Sequence, residues 1–177
     1  MKAIKQRLGV FIAASSMGLL TSLLIFLENV LKERINYSIG FALVLLYTAS
    51  LIVILIKEFG RYKTAKLIVD NKIMHIQAVK VEHVIGKVNI PMMYRDIEVF
   101  ISCFGILLDA RIIKFNASAI KLKAIEIGRE LICLSYGTEE ITKKIWILHG
   151  AISTQELQSY IDRFCYETGI VPVTIDL

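Results

Sequence analysis

Two apolar stretches near the start of the chain decide its fold: LGVFIAASSMGLLTSLLIFL (Leu8–Leu27) and INYSIGFALVLLYTASLIVILI (Ile35–Ile56), separated only by residues 28–34. Neither stretch contains Asp, Glu, Lys, Arg or His. Each has about the twenty residues that an α-helix needs to cross a bilayer. The pair therefore predicts a transmembrane hairpin with spans at about residues 8–27 and 35–56.

The composition of the remaining chain is that of a water-facing domain. The whole chain of 177 residues is 55% hydrophobic, which is more than an ordinary soluble domain contains. Residues 57–177, however, carry 16 Lys and Arg against 14 Asp and Glu. The sequence predicts a membrane unit over residues 1–62 and a soluble unit over residues 63–177.

Basic residues near the ends of the spans predict the orientation of the hairpin. They precede the first span and follow the second, whereas the connecting loop has two basic residues that are offset by Glu28 and Glu33. By the positive-inside rule, both termini are expected in the cytoplasm, in a multi-pass protein of the cell membrane. The first span is longer than a signal-peptide core and lacks a clear cleavage site, so we expect it to be retained.

Small residues within the spans predict how the two helices pack. Ala14, Gly18 and Ser22 recur every four residues on one face of the first helix, and Ser38 and Ala42 have the same spacing in the second. Such patterns allow close helix packing in lipid, either within the hairpin or in a homo-oligomer. Because the spans lack ionisable groups, a transporter or channel is not expected.

The soluble unit shows short apolar runs that are separated by turn residues. Strands are predicted at Leu67–Val69, Ile73–Gln77, Ile97–Ser102, Ile106–Leu108, Arg111–Phe115, Leu122–Ile127, Leu131–Tyr136 and Lys144–Leu148. No helical pattern separates these runs, which indicates an antiparallel meander. The preceding residues Lys57–Lys66 are expected to continue or fray the second helix.

The end of the chain predicts an amphipathic helix over about residues 154–168. Ser153 and Glu156 form a capping-box pattern, and Gly169 closes the helix. Its apolar face needs a partner and carries Leu157, Tyr160, Ile161, Phe164 and Cys165. The predicted fold class is an α+β membrane protein, a transmembrane hairpin followed by an antiparallel β domain with a C-terminal helix, as in pleckstrin-homology-like (PH-like) domains.

Residues 97–148 resemble the C-terminal domain of the YcxB-like family of bacterial membrane proteins. The residues that carry the resemblance are Ile97-Glu98-Val99, Phe104-Gly105-Ile106, Ile112-Ile113-Lys114-Phe115 and Ala119-Ile120, followed by the last two predicted strands. The chain departs from the family where Phe115 replaces an expected Trp, where Ser118 or Ala119 replaces an Asp, and in residues 64–95. The resemblance implies two membrane spans and a PH-like cytoplasmic region.

No residue pattern in the chain indicates catalysis, a cofactor or a metal. The histidines His75, His83 and His149 lack neighbouring ligands at metal spacing, and Cys103, Cys133 and Cys165 lie 30 and 32 residues apart. We expect free, buried thiols in a reducing compartment. Glycine-rich phosphate loops and a nucleophile elbow are absent from the sequence. The protein is therefore expected not to be an enzyme.

The basic surplus lies at the membrane flanks, since residues 1–66 carry nine Lys and Arg against three Asp and Glu. Its position argues against nucleic acid as a partner and favours the lipid bilayer. The residues expected to contact anionic lipid are Lys57, Arg61, Lys63 and Lys66.

Three functional hypotheses remain open on the sequence. The first is a non-enzymatic protein whose PH-like domain binds a protein or the membrane surface, with bacteriocin self-immunity as the concrete role. The second is an accessory subunit of a membrane transport or secretion complex, docked through the small-residue face. The third is a sensor of anionic lipid.

Overall fold

The computed structural model describes residues 2–31, 39–85, 88–90, 97–116 and 119–175. The chain divides into two compact units, Met1–Thr64 and Ala65–Leu177. The sequence placed this boundary two residues earlier, between residues 62 and 63.

The first unit is built from two long helices. Helix α1 spans Lys2–Leu31, and helix α2 spans Ile39–Asp70, with its residues from Ala65 onward in the second unit. The segments Ile4–Glu28 and Ala42–Asp70 are long and apolar enough to cross a membrane. Residues 35–38, with which the predicted second span begins, lie outside the described residues.

The prediction of a strand at Leu67–Val69 is wrong, because α2 continues through these residues. Ala65 and Ile68 are fully buried and lie three residues apart, which is the spacing of one helix face. Burial of this face outweighs the β-propensity of the Leu-Ile-Val run. The backbone N–H and the side-chain amide of Asn71 both donate to the Leu67 carbonyl oxygen, at 3.1 and 3.0 Å, where the helix ends.

The second unit contains a nine-stranded sheet. Its strands are β1 Met74–Ile85, β2 Val88–Ile90, β3 Ile97–Ser102, β4 Gly105–Leu108, β5 Arg111–Lys114, β6 Lys121–Ile127, β7 Leu131–Gly137, β8 Thr142–His149 and β9 Val173–Thr174. The strand order is β5-β4-β3-β1-β8-β7-β6-β9, and β2 pairs with β1. All pairings are antiparallel except that of β6 with β9.

The sheet differs from the single predicted meander, because β1 lies at its centre. Two meanders of three strands, β3-β4-β5 and β6-β7-β8, flank β1 on its two edges. A register irregularity between Ala78 and Lys80 divides β1 into the part that pairs with β3 and the part that runs along β8. The first part of β1 agrees with the predicted strand Ile73–Gln77. Residues 78–90 show no clean alternation in the sequence, so the continuation of β1 to Ile85 was missed.

Helix α3 spans Thr154–Thr168 in the second unit, so it begins and ends at the predicted residues. The Ser153 and Glu156 capping box is formed, and Gly169 has the left-handed φ of 70° that ends the helix. Leu157 and Phe164 are buried in one core with strand residues such as Ile101, Ile132 and Ile147. The α+β class is thereby confirmed.

Cys165 is an exception to the predicted apolar face, because it is exposed. At 100° per residue, Cys165 lies about 80° round the helix from Leu157, whereas Phe164 lies only about 20° from Leu157. The core contacts therefore end at the edge of the stripe, and Cys165 faces outward.

Candidate functional site

Burial in the hairpin follows a regular alternation of four and three residues. Between Leu8 and Ile25 of α1 and between Val44 and Tyr62 of α2, buried or half-buried positions alternate at spacings of three and four residues, and nearly all the residues between them are exposed. These positions are Leu8, Phe11, Ser15, Gly18, Ser22 and Ile25 in α1, and Val44, Thr48, Leu51, Leu55, Glu58 and Tyr62 in α2. A repeat of 3.5 residues keeps one seam facing a partner along the length of a helix. We call these twelve residues the seam.

The contact between the helices is centred on Gly18, Ser22 and Thr48. A Cβ atom on Gly18 would lie 3.2 Å from Oγ1 of Thr48, and Oγ of Ser22 lies 3.4 Å from the same oxygen. Each hydroxyl also donates to a carbonyl of its own helix, Ser22 to Gly18 at 2.8 Å and Thr48 to Val44 at 2.7 Å. These hydroxyls are therefore satisfied without water.

The small residues singled out in the sequence divide into two groups. Gly18 and Ser22 contact α2, and Ala14 lies half-buried beside the seam. Ala42 is exposed, and Ser38 lies outside the described residues. The residue of α2 that meets the small face is Thr48, which the sequence reasoning missed because its search followed small residues and not the four-three spacing.

Chain length requires the two helices to run in opposite directions. Leu31 lies about 20 Å beyond Gly18 along α1, and Ile39 lies about 14 Å before Thr48 along α2. In a parallel pair these ends would be about 33 Å apart, but the eight steps from residue 31 to residue 39 reach at most about 28 Å. The hairpin is therefore antiparallel, and the start of α1 lies at the same end as residues 57–63 of α2.

The basic residues of this end lie outside the seam. The side chains of Lys57, Arg61 and Lys63 are exposed, and Lys66, also exposed, belongs to the second unit. Arg61 pairs with Glu58 at 2.9 Å, and Nζ of Lys63 lies 4.9 Å from the centre of the Phe59 ring. The four residues are therefore not one cluster. The exposed Lys5 and Arg7 of α1 lie at the same end of the hairpin as residues 57–63 of α2. This follows from the antiparallel pairing of the helices and not from the sequence alone.

No protein-family model and no curated protein matches the chain.

The outer face of the sheet carries a short polar row over β6, β7 and β8. Glu126, Cys133 and Trp146 are register neighbours across these strands. Lys144 donates to Glu126 at 3.2 Å and lies 5.8 Å from the Trp146 ring. Burial, together with the nearby Glu126 carboxylate, raises the pKa of Cys133 to about 12. The Cys133 thiol is thus protonated at neutral pH and is not an activated nucleophile.

His149 ends β8 on the core face of the sheet. Its ring is buried, Nδ1 lies 2.7 Å from the carbonyl oxygen of Gly150, and Nε2 has no hydrogen-bond partner within the part of the chain that the structure describes. Burial lowers the pKa of His149 below its ordinary value of 6.5. A neutral ring that donates from Nδ1 fits these contacts, since the bare Nε2 then carries no proton to be satisfied.

Within the described ranges, no group of three or more His, Cys, Asp or Glu side chains could hold a metal. Cys103, Cys133 and Cys165 are free, and they are half-buried, buried and exposed, respectively. Burial, reinforced by Glu167, raises the pKa of Cys103.

Proposed function

We propose that this chain is an integral membrane protein of bacterial type, whose hairpin spans the cell membrane and anchors a PH-like interaction domain in the cytoplasm. The observation that carries this proposal is the apolar outer surface of the first unit. Met17 and Leu46 are each 68% exposed, whereas Ser15, Ser22 and Thr48 are buried together with Leu8 and Leu51. Water disfavours an exposed apolar surface of this kind, and lipid favours it.

The alternative of a core helix in a soluble protein fits this pattern poorly. Such a helix is mostly covered by its own protein, but only 17% and 11% of the most apolar windows of α1 and α2 are buried. Large apolar side chains instead surround each helix away from the seam. An exposed apolar surface of this extent marks contact with a membrane or a partner.

The charge of the two ends of the hairpin supports an orientation with both termini in the cytoplasm. Lys5, Arg7, Lys57, Arg61 and Lys63 lie at one end, against the single carboxylate of Glu58. Basic residues are retained on the cytoplasmic side during insertion. The second unit follows α2 at this basic end, so we place it in the cytoplasm.

Cys165 allows this topology to be tested with a native residue. Its thiol is exposed, whereas Cys133 is fully buried with a pKa of about 12. A membrane-impermeant maleimide should label Cys165 in inverted membrane vesicles and not in intact spheroplasts. The variant Cys165→Ser is the matched control, since it should remove the fast labelling.

Two results would contradict the anchored topology. One is release of the chain from membranes by alkaline carbonate, which strips peripheral proteins. The other is labelling of Cys165 in intact spheroplasts, which would place the second unit outside the cytoplasm.

For the interaction domain, the role we favour is self-immunity against a membrane-active bacteriocin, because a small protein with two spans and a PH-like domain resembles self-immunity factors in architecture. The hairpin would hold the domain where an invading peptide enters the bilayer. Expression in a sensitive strain should reduce killing by a membrane-active bacteriocin that is encoded beside this gene. A variant with a disrupted core, Phe164→Ala, should stay in the membrane but lose protection. Unchanged killing, with the protein present in the membrane, would reject this role.

The accessory-subunit alternative needs a different surface from the one the sequence suggested. Gly18 and Ser22 already contact Thr48 within the hairpin. A membrane partner would therefore dock on the lipid-facing side. The open position Gly9, where a Cβ would meet no atom within 4 Å, is a suitable probe. If Gly9→Leu releases proteins that otherwise co-purify in mild detergent, the accessory role gains over immunity.

A further inference from the structure

The two sides of the hairpin seam differ in chemistry at their basic end. Antiparallel helices are related by a two-fold axis perpendicular to the plane that contains both helix axes. This rotation exchanges the two helices but leaves each face of the pair in place, so residues that are rotated in the same sense from the seam lie on the same face of the pair. At 100° per residue, Lys5 and Ile12 of α1 and Ile52 and Phe59 of α2 all flank the seam on one side. Arg7 and Arg61 flank it on the other side. We call the first side the lysine groove, defined by Lys5, Ile12, Ile52, Phe59 and Lys63.

The lysine groove changes from apolar to cationic along its length. Measured from the Gly18–Thr48 contact at 1.5 Å per residue, Ile52 and Ile12 lie about 6 and 9 Å toward the basic end. Phe59 follows at about 17 Å, and Lys5 and Lys63 lie at about 20 and 22 Å. Ile12, Ile52 and Phe59 are 51%, 36% and 47% exposed. This order of apolar, aromatic and cationic groups along the hairpin matches the order of acyl chain and phosphate along one phospholipid molecule.

The cations of this groove lack a protein counter-charge in the described part of the first unit. Its described carboxylates are Glu28, at the opposite end of α1, and Glu58, which pairs with Arg61 at 2.9 Å. In helix pairs the flanking positions usually carry opposite charges, because like charges across the seam repel. Lys63 lies against the Phe59 ring at 4.9 Å, with its ammonium group on the same side as Lys5.

We propose that the lysine groove binds one anionic phospholipid of the cytoplasmic leaflet. Lys5 and Lys63 contact the phosphate and an acyl chain lies along Phe59, Ile12 and Ile52. This inference rests on the proposed membrane insertion. It differs from the sequence hypothesis, which grouped Lys57 and Arg61 with Lys63. A free phosphate ion would satisfy the lysines but would leave the apolar part of the groove unexplained.

The test uses the full chain in nanodiscs that contain phosphatidylcholine and phosphatidylglycerol, followed by quantification of the lipids that remain bound after mild detergent extraction. We expect phosphatidylglycerol to be enriched over phosphatidylcholine. Each of Lys5→Gln and Lys63→Gln should lower this enrichment by about fivefold, the effect of one lysine near an anionic surface. Excess inorganic phosphate should not displace the lipid.

The matched control is Arg7→Gln/Lys57→Gln, which removes two charges from the same end on the other side of the seam. A second control, Lys114→Gln/Lys121→Gln, removes two exposed charges from the second unit. Lys114→Gln/Lys121→Gln should leave the enrichment within about twofold, because these charges lie in the second unit. Arg7→Gln/Lys57→Gln should lower the enrichment clearly less than Lys5→Gln/Lys63→Gln does, because its charges attract anionic lipid only generally at the surface.

Three results would overturn the inference. Equal losses in Lys5→Gln/Lys63→Gln and Arg7→Gln/Lys57→Gln would indicate general surface attraction without a site. Equal retention of the two lipids would remove the selectivity, and displacement by inorganic phosphate would remove the acyl-chain contact. Failure of the chain to enter nanodiscs would instead reject the proposed membrane insertion, so the two failures are distinguishable.

Discussion

The hairpin and the β unit of this protein differ in their outer surfaces. The seam of the hairpin encloses Ser15, Ser22 and Thr48 together with apolar residues such as Leu8 and Leu51, and the outer surface of the hairpin is mostly apolar. The β unit encloses Ile, Leu, Val and Phe, and its charged residues are mostly exposed. This contrast is the one expected if, as proposed above, the hairpin lies in lipid and the β unit in water.

The largest effect that would sharpen this comparison is expected from Phe164→Ala in α3. Phe164 is fully buried among the strands, and its removal should lower the free energy of unfolding of the β unit by about 3–5 kcal/mol. Denaturant unfolding is followed by the fluorescence of Trp146, the single tryptophan of the chain, which lies in β8.

The control for this experiment is Tyr166→Ala in the same helix, where the side chain is 89% exposed. It should change the free energy of unfolding by less than about 0.5 kcal/mol. Equal midpoints for the two variants would show that α3 does not close the core.

A smaller effect is expected from Gly18→Leu in the seam of the hairpin. A Cβ at this position already lies 3.2 Å from Thr48 Oγ1, so a larger side chain should separate the helices at a cost of about 1–3 kcal/mol. The measurement is disulfide formation in Ser22→Cys/Thr48→Cys, whose parent oxygens lie 3.4 Å apart, in a background where the native cysteines are replaced. Gly18→Leu should reduce the yield.

Gly9→Leu is the matched control, because a Cβ there meets no atom within 4 Å. It should leave the disulfide yield unchanged, and neither variant should change the Trp146 unfolding curve. If both variants reduced the yield equally, the seam would not be the contact between the helices.

The smallest effect expected is a pH dependence of the β unit through His149. Its pKa is lowered in the folded protein, so the unfolded chain binds the proton more readily than the folded one. The stabilisation is complete above pH 6.5 and is lost as the pH falls below this value toward the folded pKa. The denaturant midpoint measured with Trp146 should therefore fall on acidification.

His149→Phe should flatten this pH dependence between pH 6.5 and the folded pKa, because the titrating ring is gone. The carboxylates, which titrate at lower pH, should still contribute to unfolding in stronger acid. An unchanged slope in His149→Phe would assign the dependence to other groups.

Local sequence patterns were sufficient where an element's partner did not matter. The bounds of α3 follow from Ser153, Glu156 and Gly169, whose hydrogen bonds are made within the helix. The strand Ile97–Ser102 and the break between the strands Ile106–Leu108 and Arg111–Phe115 were predicted from alternation and turn residues, and both are confirmed.

The same patterns failed where distant contacts decide the structure. Leu67–Val69 has a β-prone composition, but the burial of Ala65 and Ile68 keeps it helical. The central position of β1 depends on pairing with both β3 and β8, which lie far along the chain. The burial of His149 has no signal in the sequence, because its environment is supplied by other strands.

The site residues show the same division. Gly18 and Ser22 stand out as small residues, but the identity of their partner, Thr48, depends on the register of two helices. Lys63 stands out as a flanking charge. Its position on the same side of the seam as Lys5, and on the opposite side from Lys57, depends on the direction in which the two helices run.

By itself, the sequence determined that the chain contains two long uncharged apolar helices and a mixed-charge β unit with a capped C-terminal helix, because hydropathy, periodicity and capping act over a few residues. Only the tertiary structure decided that the hairpin has a four-three seam centred on Thr48, that β1 joins two meanders, and that the basic residues divide between two sides of the seam. These features arise from packing between segments that are distant in the chain, and their register is set by side-chain volume and strand pairing together.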